Sequence, residues 1–272
     1  MIKTAVILAA GYGSRIGLYE KPKGFLNIGG RPMIEYSIQS LLMYGIEKII
    51  IGAGFKSEFY ERLARRYPQV VVRKNEDFLT SGSLNTLCSL RDLIEEDFLL
   101  LESDLLYDPH CIGKILALPR SNALLLAKSP NESDGVWVEA DENRNLVKMS
   151  KDRSRLSDPL AGILVGIAKI SLAAYQEMLR SADSELQVNP HQNYDFVFEK
   201  SPTKFFVFRI HNLLFTEVDD DDQLSFALNY IYPKLTFSGF HCAPPNESVV
   251  GQELFFGVER WGTAHSTNKN NE

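Results

Sequence analysis

Five residues between positions 11 and 23 could together do phosphate chemistry. The chain runs Leu8-Ala9-Ala10-Gly11-Tyr12-Gly13-Ser14-Arg15, and Lys21 and Lys23 follow within nine residues of Arg15. Glycine lets the backbone approach a ligand closely, and successive outward-facing amides can cradle phosphate oxygens. Arg15 and Lys23 would then neutralise a triphosphate. An ordinary turn after a strand is the competing reading. The dinucleotide fingerprint G-x-G-x-x-G does not fit, because the third glycine is displaced to Gly17 and Arg15 stands inside the run. The P-loop pattern G-x-x-x-x-G-K-[S/T] occurs nowhere in the chain.

Two acidic residues close apolar segments far from this turn. Asp104 follows Phe98-Leu99-Leu100-Leu101-Glu102-Ser103, and Asp219 ends Leu213-Leu214-Phe215-Thr216-Glu217-Val218. Mg²⁺ takes hard oxygen ligands, typically one or two carboxylates completed by substrate phosphates and water, and this pair could supply them. Capping a turn is the other role open to such residues, and it is the reading adopted for Asp108 and for positions 220–222. Thr80-Ser81-Gly82-Ser83 precedes an apolar helical pattern, where a helix start offers free amides or needs only a cap.

The elements that must hold these residues alternate between strand and helix over the first half. Residues 4–10 form a continuous apolar run, as expected of a strand buried on both faces. The spacing of Met33, Ile34, Ile38, Leu41 and Leu42 predicts a helix over 31–44, with Pro32 at its start and Gly45 at its stop. Strands are expected at 46–52, 70–73 and 98–101, and helices at 57–67 and 83–94. Such alternation predicts an α/β fold with a doubly wound, mixed but mostly parallel sheet, whose ligands sit beyond the carboxyl ends of the strands. Gly11 and Asp104 would both lie there.

The rhythm changes after Pro119. Short strands at 122–128, 136–140 and 146–149, joined by polar turns, read as a small inserted β-hairpin region. A strand at 160–168, a helix at 171–180, a loop at 183–192, a short helix at 194–199 and strands at 205–210 and 213–218 follow, before a last helix from Asp220 or Asp221 to about Tyr232. Residues 1–235 read as one domain and 236–272 as a Gly-, Pro- and Asn-rich extension or tail.

The net charge of −6, from 29 basic and 35 acidic residues, argues against broad electrostatic binding to nucleic acid or anionic lipid. Cys88, Cys111 and Cys242 are widely spaced and form no C-x-x-C pair, which suits a reducing cytoplasm and suggests neither a disulfide framework nor a zinc site. The apolar stretch at the amino terminus is too short to cross a membrane.

The run LAAGYGSR followed by KPKGFL resembles the L-A-A-G-x-G-x-R…P-K motif of the sugar-nucleotidyltransferase-like superfamily, over roughly residues 1–235. The resemblance implies a Rossmann-like nucleotidyltransferase fold. It implies a nucleotide held by Leu8, Ala9, Gly11, Gly13 and Ser83, Arg15 on the β- and γ-phosphates, Lys23 on the α-phosphate, and Mg²⁺ held by Asp104 and Asp219. Within the superfamily the chain is similar to the cytidylyltransferase branch that moves CMP from CTP to phosphocholine or 2-aminoethylphosphonate. By that likeness Trp137, Lys151, Tyr194 and Asp195 surround the acceptor, Lys151 beside its phosphate and the others around its cationic head. Taken alone, Lys151 would be a solvated surface charge and Trp137 a packed edge-strand aromatic. KGFL after Pro22 and Gly82-Ser83-Leu84 favour the aminoethylphosphonate side, because the Asn-Asn pair of phosphocholine enzymes is incomplete. Relatives of this class are sometimes fused to an aminotransferase or form homo-oligomers, and the 236–272 segment is too short for a second enzyme.

Overall fold

The computed structural model describes residues 1–13, 20–128 and 135–237. In chain order the elements are β1 (Thr4–Ala9), a 3-10 turn (Lys23–Phe25), β2 (Asn27–Ile28), β3 (Arg31–Pro32), α1 (Met33–Met43), β4 (Lys48–Ala53), α2 (Ser57–Ala64) and β5 (Val70–Lys74). Next come α3 (Ser83–Cys88), β6 (Phe98–Glu102), β7 (Leu105–Tyr107), α4 (His110–Leu116), β8 (Ala123–Ala127), β9 (Trp137–Ala140) and β10 (Leu146–Ser150). The last are β11 (Gly162–Ile170), α5 (Leu172–Val188), α6 (Phe196–Lys200), β12 (Phe206–Arg209), β13 (Phe215–Glu217), α7 (Asp221–Phe226), a π-helical turn (Ala227–Ile231) and α8 (Tyr232–Phe237).

The main sheet runs β10-β9-β11-β6-β1-β4-β5, with β8 on the other edge of β11 and β12 beside β8. β5, β4, β1 and β6 are mutually parallel, as is the β8–β12 pair. β11 is antiparallel to its neighbours, and β9–β10 is the expected hairpin. The sheet is buried on both faces, which explains why β1 is apolar at every position after Thr4. Its alternate residues Ala5, Ile7 and Ala9 pack with Ile34, Ile38, Tyr60 and Ile112 from α1, α2 and α4. Val6 and Leu8 pack on the opposite face with Leu84, Leu87, Tyr175 and Phe198 from α3, α5 and α6. Deleting one such side chain, as in Ile7→Ala, costs about 3 kcal/mol.

A third, smaller core of Leu26, Ile28, Met33, Leu106, Val218 and Ile231 lies under the separate two-stranded β7–β13 sheet. This ribbon brings residue 217 beside residue 105. Asp220 caps α7 as expected, accepting from the Gln223 amide at 2.8 Å.

α4 has no counterpart among the helices expected from the sequence, α2 ends at Ala64 short of 67, and α3 and α5 differ in length. α3 ends at Cys88 instead of running to 94, because the chain tightens into turns in which the amides of Leu90, Arg91 and Leu93 each bond three residues back. α5 runs on through 183–188, which the sequence suggested was loop. Glu, Leu and Gln sustain a helix intrinsically, Asp183 pairs with Arg91 at 3.0 Å, and no breaker occurs before Asn189-Pro190. The 236–272 extension lies outside the described residues except for its first two positions.

Candidate functional site

The site lies beyond the carboxyl end of β1, where the glycine turn meets the ends of β6 and β13. Gly13 has φ +66°, a conformation that favours glycine, and a Cβ added there would stand 3.7 Å from the Lys23 side chain. Among the described residues, a Cβ at Gly11 would meet no atom within 4 Å, so that backbone has room for close approach. Ser14 and Arg15 lie outside the described residues.

Lys23 begins the 3-10 turn after Pro22. Its ammonium donates to Asp104 Oδ2 at 2.7 Å and also to Asp219 Oδ1. Burial alone would lower the pKa of this ammonium, but the two carboxylates and their hydrogen bonds overcome that cost and raise it. Lys23 is therefore a fixed cation throughout the physiological range.

The β7–β13 ribbon is what brings the two aspartates together. The Val218 amide donates to the Asp104 carbonyl at 2.9 Å, placing the residue after it against Asp104. Both strand ends read Glu-x-Asp, Glu102-Ser103-Asp104 and Glu217-Val218-Asp219. Glu102, Asp104 and Glu217 each offer a carboxylate oxygen within 4.8 Å of the others.

Carboxylates crowded in one half-buried place oppose one another's ionisation. Burial first, and then Glu102, Asp104 and Asp219, push Glu217 up to about 9. Burial and Asp104 push Glu102 up to about 7, against the stabilising hydroxyl of Tyr194. Asp104 Oδ1 is buried and has no hydrogen-bond partner among the described residues. A buried carboxylate oxygen without a donor is costly, and a hard divalent cation is the partner that this all-oxygen cluster suits. Glu102 and Glu217 were not selected from the sequence, although the repeated Glu-x-Asp at two strand ends was a usable signal.

Two cavities meet over these groups. The first, of about 160 Å³, is lined by Leu8, Ala9, Gly11, Gly13, Lys23, Ser83 and Asp104 among others. The second, of about 280 Å³, is lined by Lys151, Asp195, Tyr194, Asn193, Val136 and Gly166, together with Asp219. Lys23, Ser83, Glu102, Tyr194 and Glu217 line both. Burial pushes the Asp195 carboxyl up, and the charge of Lys151 opposes this.

Gly166 adds a feature that sequence reading missed. It sits at φ +81° where the β11–β8 register shifts, and a Cβ there would lie 2.5 Å from Glu102 Oε2. The bulge makes room for the half-buried glutamate.

Trp137 departs from its expected place among the acceptor residues. Val136 lines the second cavity, and Trp137, next along the extended chain, packs against the core on the other face of the sheet. Its ring lies under the Arg153 guanidinium at 5.5 Å, beside a separate cavity of about 570 Å³. Arg153 is held in turn by Asp158 at 2.8 Å.

Residues 5–138 match the MobA-like NTP transferase domain family. The 2-aminoethylphosphonate cytidylyltransferase of Lancefieldella rimae is 30% identical over 155 residues, covering 55% of this chain and 61% of that protein. The CMP-5'-(3-aminopropyl)phosphonate synthase of Streptomyces rubellomurinus is 28% identical over 154 residues, covering 55% of this chain and 24% of that protein. The match thus spans less than two thirds of either relative. The inositol-1-phosphate CTP transferase of T. maritima superposes with a TM-score of 0.74 at 20% identity, covering 89% of this chain and 98% of that one, and shares the fold. The glycine turn, the strand ends and the mixed sheet agree with the match of residues 5–138 to the MobA-like NTP transferase domain family.

Proposed function

We propose that this chain is a cytidylyltransferase that transfers CMP from CTP to 2-aminoethylphosphonate and releases pyrophosphate. The observation that carries this reading is the pair of cavities joined across Lys23, one walled by the glycine turn and the other by Lys151 and Asp195. A nucleotide's phosphates suit the first, with Gly11 and Gly13 leaving room for close backbone approach and Arg15 on the outer phosphates. An acceptor with an anion at one end and a primary ammonium at the other suits the second, Lys151 taking the phosphonate and Asp195 the ammonium. The aminoethylphosphonate and aminopropylphosphonate in the names of the two relatives have that pattern of charge.

In the reaction, an acceptor phosphonate oxygen forms a bond to the α-phosphorus of CTP as the bond from that phosphorus to pyrophosphate breaks. The acceptor is already largely ionised near neutral pH, so no strong general base is needed. Lys23 stabilises the charge that develops on the α-phosphate, and Arg15 that on the leaving pyrophosphate. The walls of the second cavity hold the attacking oxygen in line. Asp104 and Asp219, with Glu217 and Glu102 beside them, would hold Mg²⁺, which supplies positive charge to the phosphates when bound. Among the described residues no helix is long and apolar enough to cross a membrane. We read the enzyme as cytoplasmic, with CTP and a small acceptor as its partners.

Pyrophosphate release measured with CTP and Mg²⁺ across 2-aminoethylphosphonate, phosphocholine and sugar 1-phosphates tests this reading. Turnover should be fastest with 2-aminoethylphosphonate. Preference for phosphocholine or a sugar phosphate overturns the acceptor assignment, and no turnover with any acceptor overturns the enzyme assignment. The placement of Trp137 on the far face favours the primary ammonium, since a trimethylammonium calls for an aromatic box.

A further inference from the structure

Ser83 opens α3 on the rim of both cavities, and its hydroxyl is already engaged within the protein. The oxygen accepts the Tyr194 amide at 3.0 Å and the hydroxyl donates to Asn193 Oδ1 at 3.5 Å. On either side of Ser83, the Gly82 amide donates to the Pro190 carbonyl at 2.8 Å and the Leu84 amide to the Gln192 carbonyl at 3.2 Å. A Cβ at Gly82 would fall 2.4 Å from the His191 carbonyl oxygen and 2.3 Å from that of Gln192, so the two segments are in direct backbone contact. The start of α3 is thereby stitched to 190–194 by three consecutive residues.

From this geometry we infer that Ser83 is a positioning residue for the acceptor cavity. The Tyr194 amide is fixed by Ser83, and the Tyr194 hydroxyl reaches Glu102 at the floor of the site. Asp195 follows directly and lines the second cavity. Loss of the Ser83 oxygen frees the Tyr194 amide and loosens both side chains, while the glycine turn and Lys23 keep their own supports.

The kinetic part of this inference rests on the proposed acceptor, and the structural part does not. In Ser83→Ala, acceptor KM should rise about tenfold, as expected for one lost part-buried hydrogen bond, and by more than the KM for CTP. Ser83→Thr keeps the hydroxyl and should recover most of the loss. Hydrogen exchange of the unliganded protein should quicken across 190–195 in Ser83→Ala, return toward the original in Ser83→Thr, and stay unchanged in β1 and β6. Unaltered exchange at Tyr194 in Ser83→Ala, or a rise confined to the KM for CTP, overturns the assignment and makes Ser83 a nucleotide contact. Should no acceptor tested turn over with the unsubstituted protein, the functional reading fails and the exchange result still decides the role of Ser83.

Discussion

The ammonium of Lys23 lies 2.7 Å from the carboxylate of Asp104, although 81 residues separate them in the chain. The contact exists because β1 and β6 are adjacent parallel strands whose carboxyl ends open on the same side. The turn leaving one strand therefore faces the acid closing the other.

That contact makes Lys23 and Asp104 the first pair to test. Lys23→Ala should lower turnover by about 10²–10³-fold, the usual cost of removing a group aimed at developing charge, while far-UV circular dichroism stays native. Asp104→Asn should abolish metal-dependent turnover. Full activity in a folded Lys23→Ala protein would remove Lys23 from the chemistry.

The acidic cluster predicts a pH dependence of stability. Burial and neighbouring carboxylates push Glu102 up to about 7 and Glu217 up to about 9 in the folded protein. In the unfolded chain a glutamate titrates at about 4.3. Their contribution is thus complete below about pH 4.3 and is lost as pH rises through the two folded values, because the folded state binds more protons than the unfolded one. Metal-free protein should melt at progressively lower temperature from about pH 5 to about pH 9, and Glu217→Gln should flatten the upper part of that fall. A midpoint that climbs over this interval contradicts the prediction.

Trp137 and Asp195 should separate cleanly in kinetics. Trp137→Ala should leave the acceptor KM within about threefold and cost about 2 kcal/mol of stability, since the ring is only partly buried and supports the core and Arg153. Asp195→Ala should raise the acceptor KM at least about tenfold through loss of a charged partner. The reverse ranking would place the tryptophan in the acceptor cavity after all.

Gly166→Ala tests the bulge that accommodates Glu102. The new methyl would lie 2.5 Å from Glu102 Oε2, at a backbone φ of +81° that alanine adopts poorly. A stability loss of about 1–3 kcal/mol is expected in urea unfolding, together with weaker divalent-cation binding as the glutamate is displaced. Unchanged values of both would show that the glutamate moves aside freely.

Much of this architecture could be read before any coordinates. The apolar runs of β1 and β6 are continuous because both sheet faces are covered, and α1 shows a helical apolar spacing although it is buried between two cores, Ile34, Ile38 and Leu41 facing one and Met33 and Tyr36 the other. α5 was harder to read, because its last turns at 183–188 are polar, and polar sequence does not distinguish a solvated helix from a loop. Gly11, Gly13, Lys23, Asp104 and Asp219, which the structure brings together, stand out in the sequence because strand ends flanked by glycine or acid are chemically unusual. Glu102 and Glu217 stood in plain view, two residues before each aspartate, yet only the β7–β13 pairing turns two separate Glu-x-Asp runs into one cluster.

The sequence by itself determined which strands are buried, where glycine follows a strand end, and which charges stand at strand ends. Those properties depend on residue type and on spacing over a few positions. Only the tertiary structure decided that Trp137 turns to the far face, that Gly166 yields space to Glu102, and that Ser83 holds the segment bearing Tyr194 and Asp195. Each of these depends on register between segments distant in the chain, and a one-residue shift in register exchanges the two faces of a strand.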